Sequence, residues 1–161
     1  MGILTKVLLI LLLSVPVWGV KRKVPLKFNP ETSILNVKFK SNYDGDTITV
    51  DIPRTREIFG KEIPIRINGI DAPEIRSKGC QKVRSKKAKD FVTRELENAH
   101  KIHLINIDRG KYFRIVADVI YYKKSRAYNL AHELLKKNLA VRYHGDTKPT
   151  VDWCPPKPYV F

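Results

Sequence analysis

Apolar and polar side chains alternate in five short stretches of this chain, and each alternation predicts a half-buried β-strand. The first lies within residues 33–40, where Ile34, Val37 and Phe39 are the apolar positions. Asp44-Gly45 then marks a hairpin turn, and Thr47-Ile48-Thr49-Val50-Asp51-Ile52 alternates again as the return strand. The polar residues 53–62 predict a looser connection to a third strand, in which Ile63, Ile65 and Ile67 face one way and Arg66 and Asn68 the other. Ile102, Leu104 and Ile107 mark a fourth strand, and residues 111–122 a fifth with Arg114 near its beginning.

Between the third and fourth strands the period changes. From 81 to 98, Val83, Ala88, Phe91, Val92 and Leu96 recur at helical spacing, with Ala99 just beyond, opposite Lys82, Arg84, Lys86, Lys87 and Lys89. An amphipathic helix packed on the core is expected. A second helix runs through Ala127, Leu130, Ala131, Leu134 and Leu135, with Ser125 as its expected cap and Asn138 suited to the left-handed residue that ends it. Residues 139–143 fit an added strand, and the Pro-rich tail 146–161 is expected to lie extended. The sum is a mainly β, α+β domain over residues 33–145: a five-stranded barrel of the OB type with two or more packed helices, a common nucleic-acid scaffold.

The amino terminus reads differently. Lys6, the apolar run 7–13, Ser14, Pro16 and Gly19 have the layout of a secretory signal over residues 1–19, followed by an extended lead-in, 20–32. Cleavage after Gly19 gives an exported protein with no stable membrane partner. Retention, with Lys21-Arg22-Lys23 as a flank, gives a membrane-anchored one.

The chain carries 31 Lys and Arg against 16 Asp and Glu, a formal charge of +15, and loss of Lys6 with the signal still leaves +14. Such a charge on one small domain calls for a polyanion, either nucleic acid or an anionic membrane surface. The basic residues are spread over strands and loops as well as the helix, which argues against a membrane-surface helix. Two cysteines, Cys80 and Cys154, either form one disulfide in an oxidising compartment or remain as buried thiols. The four histidines have no zinc-ligand spacing.

The densest chemistry is Arg66-Ile67-Asn68-Gly69-Ile70-Asp71-Ala72-Pro73-Glu74. Pro73 forces Ala72 into extended backbone, so Arg66, Asp71 and Glu74 project from one strand end. Alone, Asp71-x-x-Glu74 also reads as a helix capping box. Asp46, just after the first hairpin turn, changes that, because a twisted barrel can bring the two places together. Two carboxylates and a backbone carbonyl make a hard oxygen site suited to one Ca²⁺. Arg66 and Arg114 can then face an anion held by the metal, which is the layout expected for phosphodiester hydrolysis.

Asp44-Gly45-Asp46-Thr47, Arg66 through Glu74, and Lys111-Tyr112-Phe113-Arg114 resemble, in order and spacing, the three signature segments of the staphylococcal (micrococcal) nuclease family. The resemblance covers about residues 33–143. It implies an OB-fold, a monomeric Ca²⁺-dependent endonuclease acting on DNA and/or RNA, and products with 3′-phosphate ends. It also implies roles: Asp46, Asp71 and the Ala72 carbonyl as calcium ligands, Glu74 as general base, and Arg66 and Arg114 on the phosphate and its transition state. Lys111, Tyr112 and Tyr143 match positions near the bound nucleotide. The family's prototype has threonine at the position of Ala72, a change that a main-chain ligand tolerates. Where the prototype continues into another long helix, this chain has a Pro-rich tail with Trp153 and Cys154, which a Cys80–Cys154 bridge would pin to the loop after Glu74. The competing reading is a catalytically silent OB-fold binding module, which needs the basic surface but not the complete set of carboxylates and arginines.

Overall fold

A computed structural model describes residues 28–145, 147, 148 and 150–154. The expected signal 1–19, most of the lead-in and the end of the tail lie outside the described residues. The alternating stretches become β1 (Lys38–Asn42), β2 (Thr47–Asp51), β3 (Ile63–Ile67), β5 (Lys101–Arg109) and β6 (Ile115–Lys123), paired in the order β1-β2-β3-β6-β5. Every pair is antiparallel except β3–β6. A parallel pair needs a long crossover, which α2 (Gly79–Glu97) and β5 supply.

The two ends of this path meet. Ile34 and Leu104 exchange N–H···O bonds of 2.8 and 2.9 Å, and the Val37 N–H donates to the Ile102 carbonyl at 3.0 Å. The chain entering β1 thus lies beside β5, and the ladder that an open sheet would expose at its edge is paired. Beneath this seam His103, 7% exposed, accepts the Asn36 N–H on Nδ1 at 3.0 Å. The architecture is the α+β, OB-type one that the five alternations predict.

Ile48, Val50, Ile65, Ile67, Leu104 and Val119 fill the interior, and α2 adds Ala88, Phe91, Val92 and Leu96. Val83, expected on the same apolar stripe, instead stands in solvent at 55% exposure, near the amino-terminal end of the helix. Glu95 ties α2 to β6 by accepting the Tyr121 hydroxyl at 2.8 Å and the Lys123 ammonium at 2.7 Å. Among the described residues no helix is long and apolar enough to cross a membrane.

No helix starts at Asp71, as expected once Asp46 displaced the capping-box reading: Ile70–Asp71 form β4, which pairs with β8 (Val141–Arg142). Three local expectations are corrected. The connection 53–62 contains a short helix, α1 (Glu57–Gly60). Residues Lys111–Phe113 form a tight turn, not strand, with Tyr112 and Phe113 in the left-handed region at φ +58° and +57°. The antiparallel β5–β6 pair must reverse there, and the Gly110 N–H closes the turn on the Arg114 carbonyl at 2.8 Å. Finally, Ser125 caps nothing helical. Lys124 turns at φ +52° and residues Arg126–Asn129 pair back on β6 as β7, so Asn129 caps α3 (Leu130–Lys136) by accepting the His132 N–H. Asn138 does take the left-handed conformation, φ +54°.

Candidate functional site

The turn between β1 and β2 is built to present Asp46. Asp44 Oδ1 accepts the N–H groups of Asp46 (3.1 Å) and Thr47 (2.9 Å), an Asx turn that orders the loop. Asn42 donates to the carbonyls of Asp44 and Lys89 and accepts the Thr93 hydroxyl at 2.7 Å, which fastens the turn to α2. Gly45 is needed for space rather than for a positive φ: a Cβ would come within 2.7 Å of the Ala88 Cβ and 2.8 Å of the Ala72 Cβ. The turn is therefore wedged between α2 and the Asp71-Ala72-Pro73 bend.

Asp46 is 2% exposed. Its Oδ1 accepts from Arg66 Nη1 and from the Thr47 hydroxyl, and its Oδ2 from the Ala72 N–H at 2.7 Å. Burial pushes its carboxyl up to about 7, with the Arg66 charge opposing and Asp44 reinforcing the rise. Arg66 spans two acids, since its Nη2 donates to Asp71 Oδ1 at 3.1 Å and to the Ile70 carbonyl at 3.2 Å. Glu74 projects further out, its side chain 61% exposed, and is reached by the Lys148 ammonium at 2.6 Å; the same ammonium lies 3.3 Å from Asp71 Oδ1.

These groups line one side of a cleft of about 610 Å³ in which Arg66, Asp71 and Glu74 share the walls with Lys111, Tyr112, Arg114 and Tyr143. Asp46 and Ala72 sit behind Arg66 rather than on the cleft surface. Gly69, at φ +77°, turns the chain between β3 and β4, and its carbonyl accepts the Tyr143 N–H at 3.1 Å, which brings Tyr143 to the rim. The β5–β6 turn does the same for Lys111 and Tyr112. Asp118 joins the Asn68 and Asn106 side chains, at 3.0 and 2.7 Å, and so fixes two more cleft residues that the sequence did not single out.

The donor set is all oxygen. Among the described residues no three His, Cys, Asp or Glu side chains cluster for a metal. Two buried carboxylates are turned toward Arg66, and one of them, Asp71, also toward Lys148; burial pushes the other, Asp46, up. Asp46, Asp71 and nearby main-chain oxygen are the groups at the cleft wall whose chemistry suits a hard cation.

Cys80, in the first turn of α2, pairs with Cys154 as a disulfide, with the Cα atoms 5.6 Å apart. The tail that it anchors passes the cleft, where the Gly145 carbonyl accepts the Lys111 ammonium at 3.0 Å and Lys148 reaches the acids. Lys148 was missed in the sequence because one lysine among many in a patternless tail carries no signal.

The family model of staphylococcal nuclease homologues matches residues 64–152. That span holds Arg66, Asp71, Glu74, Arg114 and Tyr143 as well as Lys148, whereas Asp46 precedes it and joins the site through the fold. No curated protein matches the chain.

Proposed function

Since the chain belongs to the family of staphylococcal nuclease homologues, we propose that it is a calcium-dependent endonuclease hydrolysing phosphodiester bonds of DNA and/or RNA to leave 3′-phosphate ends. The observation that carries this is the constellation itself: Arg66 joined to both Asp46 and Asp71 at the wall of a cleft that also holds Glu74 and Arg114.

Asp46, Asp71 and the Ala72 main chain would hold the ion, which when bound would supply positive charge against the phosphate and favour ionised water. The chain's own residues do the rest. Arg66 and Arg114 offer planar pairs of N–H donors that match phosphate oxygens and stabilise the charge that develops on them. Glu74, at the open side, takes the proton from attacking water. Lys111, Tyr112 and Tyr143 border the space left for the nucleotide. A disulfide and an apolar amino-terminal run favour work outside the cytoplasm.

The test is digestion of single-stranded DNA, duplex DNA and RNA with Ca²⁺ or with chelator. Cleavage that appears with calcium and stops with chelator is the expected result. Binding without cleavage under every metal tried would make the protein a silent binding module.

A further inference from the structure

The tail residue Lys148 has no part in the chemistry above, yet it makes the shortest ion pair to Glu74 and a second one to Asp71. Its position is not left to a free chain end. The Gly145 carbonyl is bonded to Lys111 on the β5–β6 turn, and Cys154 is bonded to Cys80 at the start of α2. Between these two anchors Lys148 rides on a strap at the cleft, and its ammonium lands on Glu74 and on Asp71 Oδ1, the same oxygen that Arg66 Nη2 holds.

We infer that Lys148 is a built-in competitor of the divalent cation: the strap, fixed by the Cys80–Cys154 bridge, holds an ammonium on Asp71 and Glu74 that must give way when the metal binds. The inference rests on the calcium reading of the site. Arg66 and Lys148 already share Asp71 Oδ1, and a divalent cation placed there repels both, so whatever stabilises Lys148 on that oxygen weakens the metal. Burial and these two carboxylates are the influences on Lys148, and the carboxylates win, holding its ammonium above the usual lysine range. The side chain is 48% exposed, so the pairs are partly screened and the effect is modest. The bridge makes it larger than a mobile tail could, because the ordering cost of the strap is met before the ion arrives.

Calcium binding is measured by titration calorimetry without nucleic acid on the wild-type protein, Lys148→Gln, Lys148→Arg and the double variant Cys80→Ser/Cys154→Ser. Lys148→Gln is expected to bind about 3- to 10-fold more tightly, and Lys148→Arg, which keeps the charge, to stay close to wild type. The bridge-free protein, checked for folding by circular dichroism, should also bind more tightly, and adding Lys148→Gln to it should change little. Unchanged or weaker binding by Lys148→Gln overturns the inference, whatever the bridge-free protein does, and so does absence of calcium binding by every variant. Calcium-dependent digestion without tightening would sink this inference and spare the nuclease reading, whereas tightening without digestion would do the reverse.

Discussion

Arg66 is the side chain whose loss the site can least absorb. Its two terminal nitrogens reach different acids, Asp46 in the β1–β2 turn and Asp71 in β4, so one planar group keeps two carboxylates from repelling each other across the barrel end. A lysine has one ammonium and cannot make both contacts while also facing a phosphate. Arg66→Lys and Arg114→Lys are each expected to lower turnover on single-stranded DNA about 10²- to 10³-fold, the range for losing a preorganised charge stabiliser. Near-wild-type turnover in both would remove the arginines from the mechanism. Gly45 is the second sensitive position, for packing rather than charge. With an added methyl forced to within 2.8 Å of both Ala72 and Ala88, Gly45→Ala should cost about 1–3 kcal/mol in urea unfolding. An unchanged midpoint would mean that the turn can slide away from α2.

At the scale of elements, the helix that bears the disulfide is tied to the sheet by Glu95, Tyr121 and Lys123. Burial alone would raise the Glu95 carboxyl, but the hydrogen bonds from Lys123 and Tyr121 more than offset it and hold the group below its ordinary value of 4.5. A carboxyl depressed on folding adds stability that is fully present above 4.5 and is lost as the pH falls through that value toward its folded one. Glu95→Gln should therefore be less stable than wild type by about 1–3 kcal/mol at neutral pH, the cost of losing hydrogen bonds to a charged acceptor. The gap should narrow at pH 3.5. Urea titrations at the two pH values decide it, and a gap independent of pH would show that the charge contributes nothing. Elements of this kind were readable wherever period and burial coincide: β2, β3 and α2 follow the alternation of Ile48, Ile65, Phe91 and their neighbours. They were unreadable where tertiary pairing overrides the local signal. Ser125 looks like a cap only until β7 folds back on β6, and Tyr112 looks like a strand residue only until the chain must reverse between β5 and β6. The inner site was legible for the same reason as the strands, since Asp46, Arg66 and Asp71 stand at strand ends. Lys148 was not, because nothing local in the tail tells where a distant disulfide will carry it.

For the whole molecule the governing facts are a charge of +15 and a barrel that must stay closed against it. Closure depends on a few bonds between the segment entering β1 and β5, and His103 lies beneath them. Its Nδ1 can accept the Asn36 N–H only while that nitrogen is unprotonated. Burial lowers the affinity of His103 for a proton, the Lys101 charge adds to this, and a backbone contact with Ile102 opposes it, leaving the group below its ordinary value of 6.5. The unfolded chain thus binds a proton more readily than the folded one. The stability carried by neutral His103 is fully present above 6.5 and is lost as the pH falls below that value, with one more positive charge placed in an already cationic barrel. Thermal unfolding of wild type should accordingly weaken between pH 7.5 and 5.5, and His103→Asn, which can still accept the Asn36 N–H but does not titrate, should show a flatter dependence over the same range. Because His100, His132 and His144 are exposed and retained in both proteins, their contributions cancel in the comparison. Parallel curves for the two would mean that the seam closes whatever the charge on His103.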